Sequence, residues 1–176
     1  INATGVAPGS PRESAMVVTL SPGSYTAVVR GWEQTEGVGL VEAYVLDSGS
    51  SQLVNLSTRG RIGVGEEALI GGLIVTGGSG KRVIVRALGP SLRTVAGSLA
   101  DPTLEIRDGA GNLVGENNNW QDSAQAGEIT GTGVPPQHHL ESAVVATLAP
   151  GNYTAVVRGV NNGTGVGMVE VFDITK

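Results

Sequence analysis

The oxygen-bearing side chains of this sequence crowd onto one stretch, Asp108-Gly109-Ala110-Gly111-Asn112 followed by Glu116-Asn117-Asn118-Asn119-Trp120-Gln121-Asp122. Carboxylate and amide oxygens gathered on loops are the donors that a hard cation such as Ca²⁺ takes. Asp108, Glu116, Asn117, Asn119 and Asp122 are therefore the candidate metal ligands. Amides bring less charge than carboxylates, and the same Asn and Asp residues serve ordinary β-turns. The expectation is a chain that needs no cofactor, with Ca²⁺ the one candidate. Trp120, beside that run, and Trp32, far upstream, offer ring faces that either stack on a sugar or cap the end of a core.

Other chemistry is thinner. His138 and His139 are the only histidines; neighbours in an extended segment point to opposite sides, so they are not expected to share a metal. There is no cysteine, and no serine sits in a Gly-x-Ser-x-Gly elbow. Gly77-Gly78-Ser79-Gly80-Lys81-Arg82 resembles a phosphate-binding loop, but Arg82 stands where Ser or Thr should follow Lys81, and a strand rather than a helix comes next. A flexible hairpin turn is expected there, and no enzyme activity.

These residues must be carried by strands. Eight short apolar or alternating runs are bounded by Gly, Pro, Asn or Ser: Leu53 to Thr58, Ala68 to Thr76, Arg82 to Leu88, Thr103 to Arg107, Leu113 to Asn117, Ser142 to Leu148, Tyr153 to Gly159 and Val166 to Ile174. Thr103-Leu104-Glu105-Ile106-Arg107 alternates with period two, placing Leu104 and Ile106 inward. Eight strands over such a length predict an all-β, jelly-roll-like β-sandwich. Residues 121 to 137 form a long connection, with one helical turn expected around Ser123 to Ile129. In the last hairpin Arg158 and Glu170 are placed as a cross-strand ion pair, as are Arg30 and Glu42 upstream; both pairs are expected to be structural.

The end of this pattern is duplicated. ESAMVVTLSPGSYTAVVRG (Glu13 to Gly31) returns as ESAVVATLAPGNYTAVVRG (Glu141 to Gly159), and VGLVEAYVL (Val38 to Leu46) returns as VGMVEVFDI (Val166 to Ile174), 128 positions on and without a gap. The organisation expected is a C-terminal part of a preceding repeat (1–47, three strands), a linker (48–52) and a complete repeat (53–176). Ile1 falls inside a repeat, so the natural N-terminus is expected upstream. Three strands with one bare apolar face are marginal, so residues 1–47 are expected to dock as a sheet. Exposed edges would pair with copies of the chain or with adjacent repeats, and a contact that does not close generates a filament.

Composition narrows the partners. The net charge is −5 with eleven basic residues and one adjacent basic pair, Lys81-Arg82, which argues against nucleic acid. No apolar stretch approaches the roughly 20 residues that span a bilayer, so membrane insertion is not expected. Aromatics make up 3% of the chain and glycines number 28, suiting closely packed sheets. Lack of thiols in a Gly-, Thr- and Asn-rich β chain points to a secreted or cell-surface location.

The order DPTLEIRDGAGNLVGENNNW, a loop, ESAVVATLAPGNYTAVVRG and GVGMVEVFDI resembles the bacterial pre-peptidase C-terminal domains and their collagenase-domain relatives over Asp101 to Ile174. The whole unit also resembles repeat modules of large secreted bacterial proteins. This resemblance implies a jelly-roll sandwich appended to secreted enzymes. It also implies acidic calcium ligands near the stretch where this chain has Asn117, Asn118 and Asn119. The function expected is a non-enzymatic extracellular structural or adhesive repeat that self-assembles through its N-terminal strands. The alternative is a carbohydrate- or calcium-dependent binding module of a secreted hydrolase, with surface polysaccharide as its partner.

Overall fold

The computed structural model of the protein describes residues 1–46 and 53–175, and the expected linker at 48–52 lies outside them. The chain falls into two compact units, Ile1–Gln52 and Leu53–Lys176.

All eight expected strands form in the second unit: β1 (Asn55–Ile62), β2 (Leu69–Val75), β3 (Lys81–Leu88), β4 (Pro102–Asp108), β5 (Leu113–Asn117), β6 (Ser142–Leu148), β7 (Gly151–Gly159) and β8 (Gly165–Asp173). They build two four-stranded antiparallel sheets, ordered β1-β8-β3-β6 and β2-β7-β4-β5. That is jelly-roll order. Only β4 and β5 are both consecutive in sequence and paired to each other. Every other turn carries the chain from one sheet to the other. Gly77 to Gly80 and Asn161 to Thr164 are therefore arches between the sheets rather than the hairpin turns expected.

Between the sheets lie the inward residues of each strand, among them Ile62, Val83, Val85, Leu104, Val157 and Val169. Small residues bring the sheets close: a Cβ on Gly71 of β2 would stand 2.9 Å from the Val169 side chain of β8. A second apolar cluster covers the outer face of β3 and β6. Ile84, Ala143 and Val145 meet Trp120 and Ile129 there, carried by the connection after β5. That connection holds a 3₁₀ turn (Trp120–Asp122) and one short helix, α1 (Ala126–Gly131). Burial on both faces explains why Val83-Ile84-Val85 runs apolar without alternation.

The first unit differs from expectation. Among residues 1–46 no strand ladder forms, and the apolar side chains are open, with Val28 at 69% and Leu40 at 81% exposure. The reason lies in the complete copy. Strands β6, β7 and β8 never pair with one another: β6 pairs with β3, β7 with β2 and β4, and β8 with β1 and β3. Residues 13–46, their counterparts, cannot close a three-stranded sheet by themselves.

Local geometry is nevertheless shared. Glu33 (φ 51°, ψ 37°) matches Asn161 (φ 53°, ψ 39°) at the equivalent position of a left-handed turn. Gly31 and Gly159 precede these turns where a Cβ would lie 1.9 Å from the Thr35 carbonyl oxygen and 2.1 Å from that of Gly163. The Tyr25 hydroxyl donates to the Ser21 carbonyl (2.7 Å), as Tyr153 does to Ala149 (3.0 Å). Turns formed by local contacts survive in both copies; ladders, which need distant strands, form in one.

Candidate functional site

The five candidate calcium ligands are not brought together as one set: hydrogen bonds link Asn117, Asn119 and Asp122, and Asp108 stands apart from them. Asp108 lies at one end of the β4–β5 ladder, while Asn117 stands opposite Leu104 toward the other end. Four residues of strand separate those levels, about 13 Å at the usual rise. Asp108 closes a tight turn, accepting from the backbone N–H of Ala110 and of Asn112 and from the Asn112 side-chain amide, each at 2.9 Å. The Asn112 side chain first, and its backbone N–H next, hold the Asp108 carboxyl below the usual carboxylate range. Asn117 accepts from Ala143 N (3.0 Å) and donates to the Asn119 carbonyl (3.3 Å), tying the strand end to β6. Asn119 donates to Asp122 (3.3 Å). Glu116 faces Glu105 across the ladder. Among the described residues no group of three His, Cys, Asp or Glu is arranged to hold a metal.

Trp120 is not a stacking platform. It is 8% exposed, packs in the second cluster, and donates its indole N–H to the His138 carbonyl (3.0 Å). Trp32 is 83% exposed and opens the left-handed turn of the first unit. The two histidines, expected on opposite sides, stack with centroids 4.5 Å apart, because the chain turns here instead of running extended.

The ion pairs are re-sorted. Arg158 on β7 and Glu170 on β8 belong to opposite sheets, so they cannot form a cross-strand pair. Glu170 binds Arg86 of β3, both side chains 13% exposed, and accepts from the Ser57 hydroxyl (3.0 Å). Arg86 also donates to the Val134 carbonyl (2.7 Å) and lies 4.8 Å from the centre of the Phe172 ring. Arg158 reaches Glu105 at 4.0 Å. In the first unit Glu42 accepts from the Tyr44 hydroxyl (3.0 Å), and no ion pair joins it to Arg30 among the described residues. That hydrogen bond, with the carboxylate charge, raises the Tyr44 pKa.

One residue escaped sequence reasoning. Glu141, just before β6, is fully buried. It accepts from the backbone N–H of Gly89 (3.2 Å), Ser91 (2.9 Å) and His138 (3.1 Å), and from the Ser91 hydroxyl. It therefore clamps the Gly89-Pro90-Ser91 loop after β3 to the start of β6. The adjacent Ser142 donates to the Pro102 carbonyl (2.6 Å). The signal was available: Glu-Ser opens both copies, as Glu13-Ser14 and as Glu141-Ser142. Each of these side chains finds its hydrogen-bond partners within the protein.

No protein-family model and no curated protein sequence matches the chain. Among solved structures it is similar to the pre-peptidase C-terminal domain of a collagenase from Bacillus anthracis, at 15% identity and a TM-score of 0.43. That likeness covers 67% of this chain and 89% of the other. The collagenase domain is a member of the family that residues 101–174 resemble. The sandwich assignment rests on the ladders and registers themselves.

Proposed function

We propose that the chain is a non-enzymatic, extracellular structural module from a tandem array of jelly rolls, in which residues 13–46 are β6, β7 and β8 of the repeat before residues 53–176. One observation carries this reading. At every buried position of 141–174 except Val144, where Met16 stands, the N-terminal copy has the same residue. Ala143, Val145, Leu148, Ala155 and Val169 return as Ala15, Val17, Leu20, Ala27 and Val41. The differences gather on exposed and half-buried positions, above all in the turn at 32–36. Sequence held at the buried positions is what packing against a β1–β5 half, and under the cover on the outer face of β3 and β6, requires.

Repeats in this reading are joined by the covalent chain, and the array serves reach or surface attachment. Strand exchange between separate copies would create no new ladder. Residues 1–176 carry two completing trios and a single β1–β5 half, so every exchange frees one trio for each one placed.

The test adds an acceptor. Placing residues 53–140 directly ahead of Glu13, in place of residues 1–12, recreates the join that precedes Glu141. The extended chain should show two cooperative sandwiches and slow amide exchange across Ala15 to Leu46. Fast exchange there, with residues 53–176 protected, would overturn the reading.

A further inference from the structure

We infer that residues 13–46 are a second, interchangeable completion of this chain's own β1–β5 half, competing with residues 141–174 for the same place. The inference rests on the reading of 13–46 as strands of a repeat and adds that they fit the following half as well as a preceding one.

Three features point to residues 55–117 as the partner. The trio cannot pair with itself, since each of its strands finds its ladder on β1, β2, β3 or β4. Its inward residues are those that the β1–β5 half already accepts, including Glu13 for the clamp at Gly89 and Ser91 and Ser14 for the bond to Pro102. Chain connection also permits it. β8 runs antiparallel beside β1, with Phe172 opposite Asn55 and the Asp173 N–H donating to the Val54 carbonyl (3.2 Å). If 13–46 took that place, Tyr44 would face Asn55 and Val45 would meet Val54, leaving residues 46–53 as a loop between adjacent antiparallel strands. Eight residues are more than the roughly two to five of a common hairpin loop, but closing them costs little more than closing a shorter one. The product is a circularly permuted jelly roll, β6-β7-β8-β1-β2-β3-β4-β5, with the same two sheets.

The present sandwich therefore has a spare. The two states differ in which trio is placed, and they bury nearly the same side chains. Damage to one trio should shift the population to the other, as a ligand shifts a two-state equilibrium by its differential affinity.

The experiment uses the full chain, which lacks cysteine, so three introduced thiols report unambiguously. Arg59 stands opposite Met168 in the β1–β8 register, and Leu40 is the counterpart of Met168. In the variant Leu40→Cys/Arg59→Cys/Met168→Cys, equilibrated in a glutathione buffer, the thiol at position 59 should pair predominantly with the one at position 168. Adding Ala155→Asp buries a charge in the C-terminal trio. The chain should then keep a cooperative melt, and the ratio of 40–59 to 59–168 disulfide should rise at least tenfold. Adding Ala27→Asp as well should abolish the melt and return the ratio to that of the denatured chain. Loss of the melt in the Ala155→Asp chain, or a melt retained with no rise in 40–59 disulfide, overturns the inference. So does survival of the double variant. If the extended tandem chain forms two sandwiches while Ala155→Asp unfolds this one, the permuted closure fails and the repeat reading stands.

Discussion

Glu141→Ala tests how far the sandwich depends on the one carboxylate fully buried among the described residues. The substitution removes the acceptor of three backbone N–H groups and the Ser91 hydroxyl. Gly89 is buried, so its N–H loses its partner with no access to water; an orphaned buried donor costs about 1–3 kcal/mol. Ser91 and His138 are half-buried, and water can replace the carboxylate there, at a loss of about 1 kcal/mol for each of these bonds. With the Ser91 N–H, the Ser91 hydroxyl and the His138 N–H each counted, the sum is a destabilisation of about 4–6 kcal/mol, or a drop in Tm of roughly 12–24 °C for a domain of this size. Glu13→Ala provides the internal control. It changes the same residue in the same sequence context, but Glu13 is exposed and, among the described residues, accepts only from Ser10 N at 3.2 Å. Its Tm should stay within about two degrees of the parent. Differential scanning calorimetry on both variants decides the matter. Equal shifts, or no shift for Glu141→Ala, would refute the clamp.

Four further outcomes follow from the site geometry. Glu170→Ala leaves the Arg86 guanidinium with little solvent and no counter-ion, and should cost about 3–5 kcal/mol in urea unfolding, whereas Arg158→Ala should cost less than about 1 kcal/mol. The Asp108 carboxyl, held low by Asn112, contributes stability that is present above the ordinary carboxylate pKa and lost as pH falls through its lowered value. The stability gap between the parent and Asp108→Ala, measured by denaturant titration, should therefore be constant from pH 5 to 7 and close in strong acid. Iodide should quench the fluorescence of Trp32 and spare Trp120; uniform quenching would contradict the burial of the second cluster. EDTA and millimolar Ca²⁺ should leave the melting curve of the intact chain unchanged, because Asp108 and Asn117 stand at different levels of their ladder.

Strand positions were legible because each run is short, apolar and punctuated by Gly, Pro or Asn, and all eight stand within a few residues of where the pattern put them. Which sheet each strand joins was not legible. A Pro-Gly or Asn-Asn-Gly turn reads alike whether the chain folds back beside itself or arches across the core. The Arg158–Glu170 pairing failed on that point. Which of its two expected roles Trp120 takes was not legible for a related reason. A tryptophan in a polar run marks no face by itself, and only the uninterrupted Val83-Ile84-Val85 indicated that the outer side of β3 would need a cover. The duplicated Glu-Ser held the clearest unread signal, since an acidic residue repeated beside core positions suggests a buried acceptor.

The alternation of strands between sheets has a larger consequence than any of these residues. In a meander, three consecutive strands make a sheet of their own, and a partial repeat would be a small, weakly stable domain. In this jelly roll β6, β7 and β8 interleave with β1 to β4, so neither part contains a complete ladder set. Backbone N–H and C=O groups in strands need partners, and those partners lie in the other part. A tandem array built this way would gain cooperativity within each repeat. It also makes each β1–β5 half indifferent to whether its completing strands arrive from before or after it in the chain. The order of the strands in the sheets thus connects the repeat seen in the sequence, the bare apolar residues at 13–46 and the spare trio.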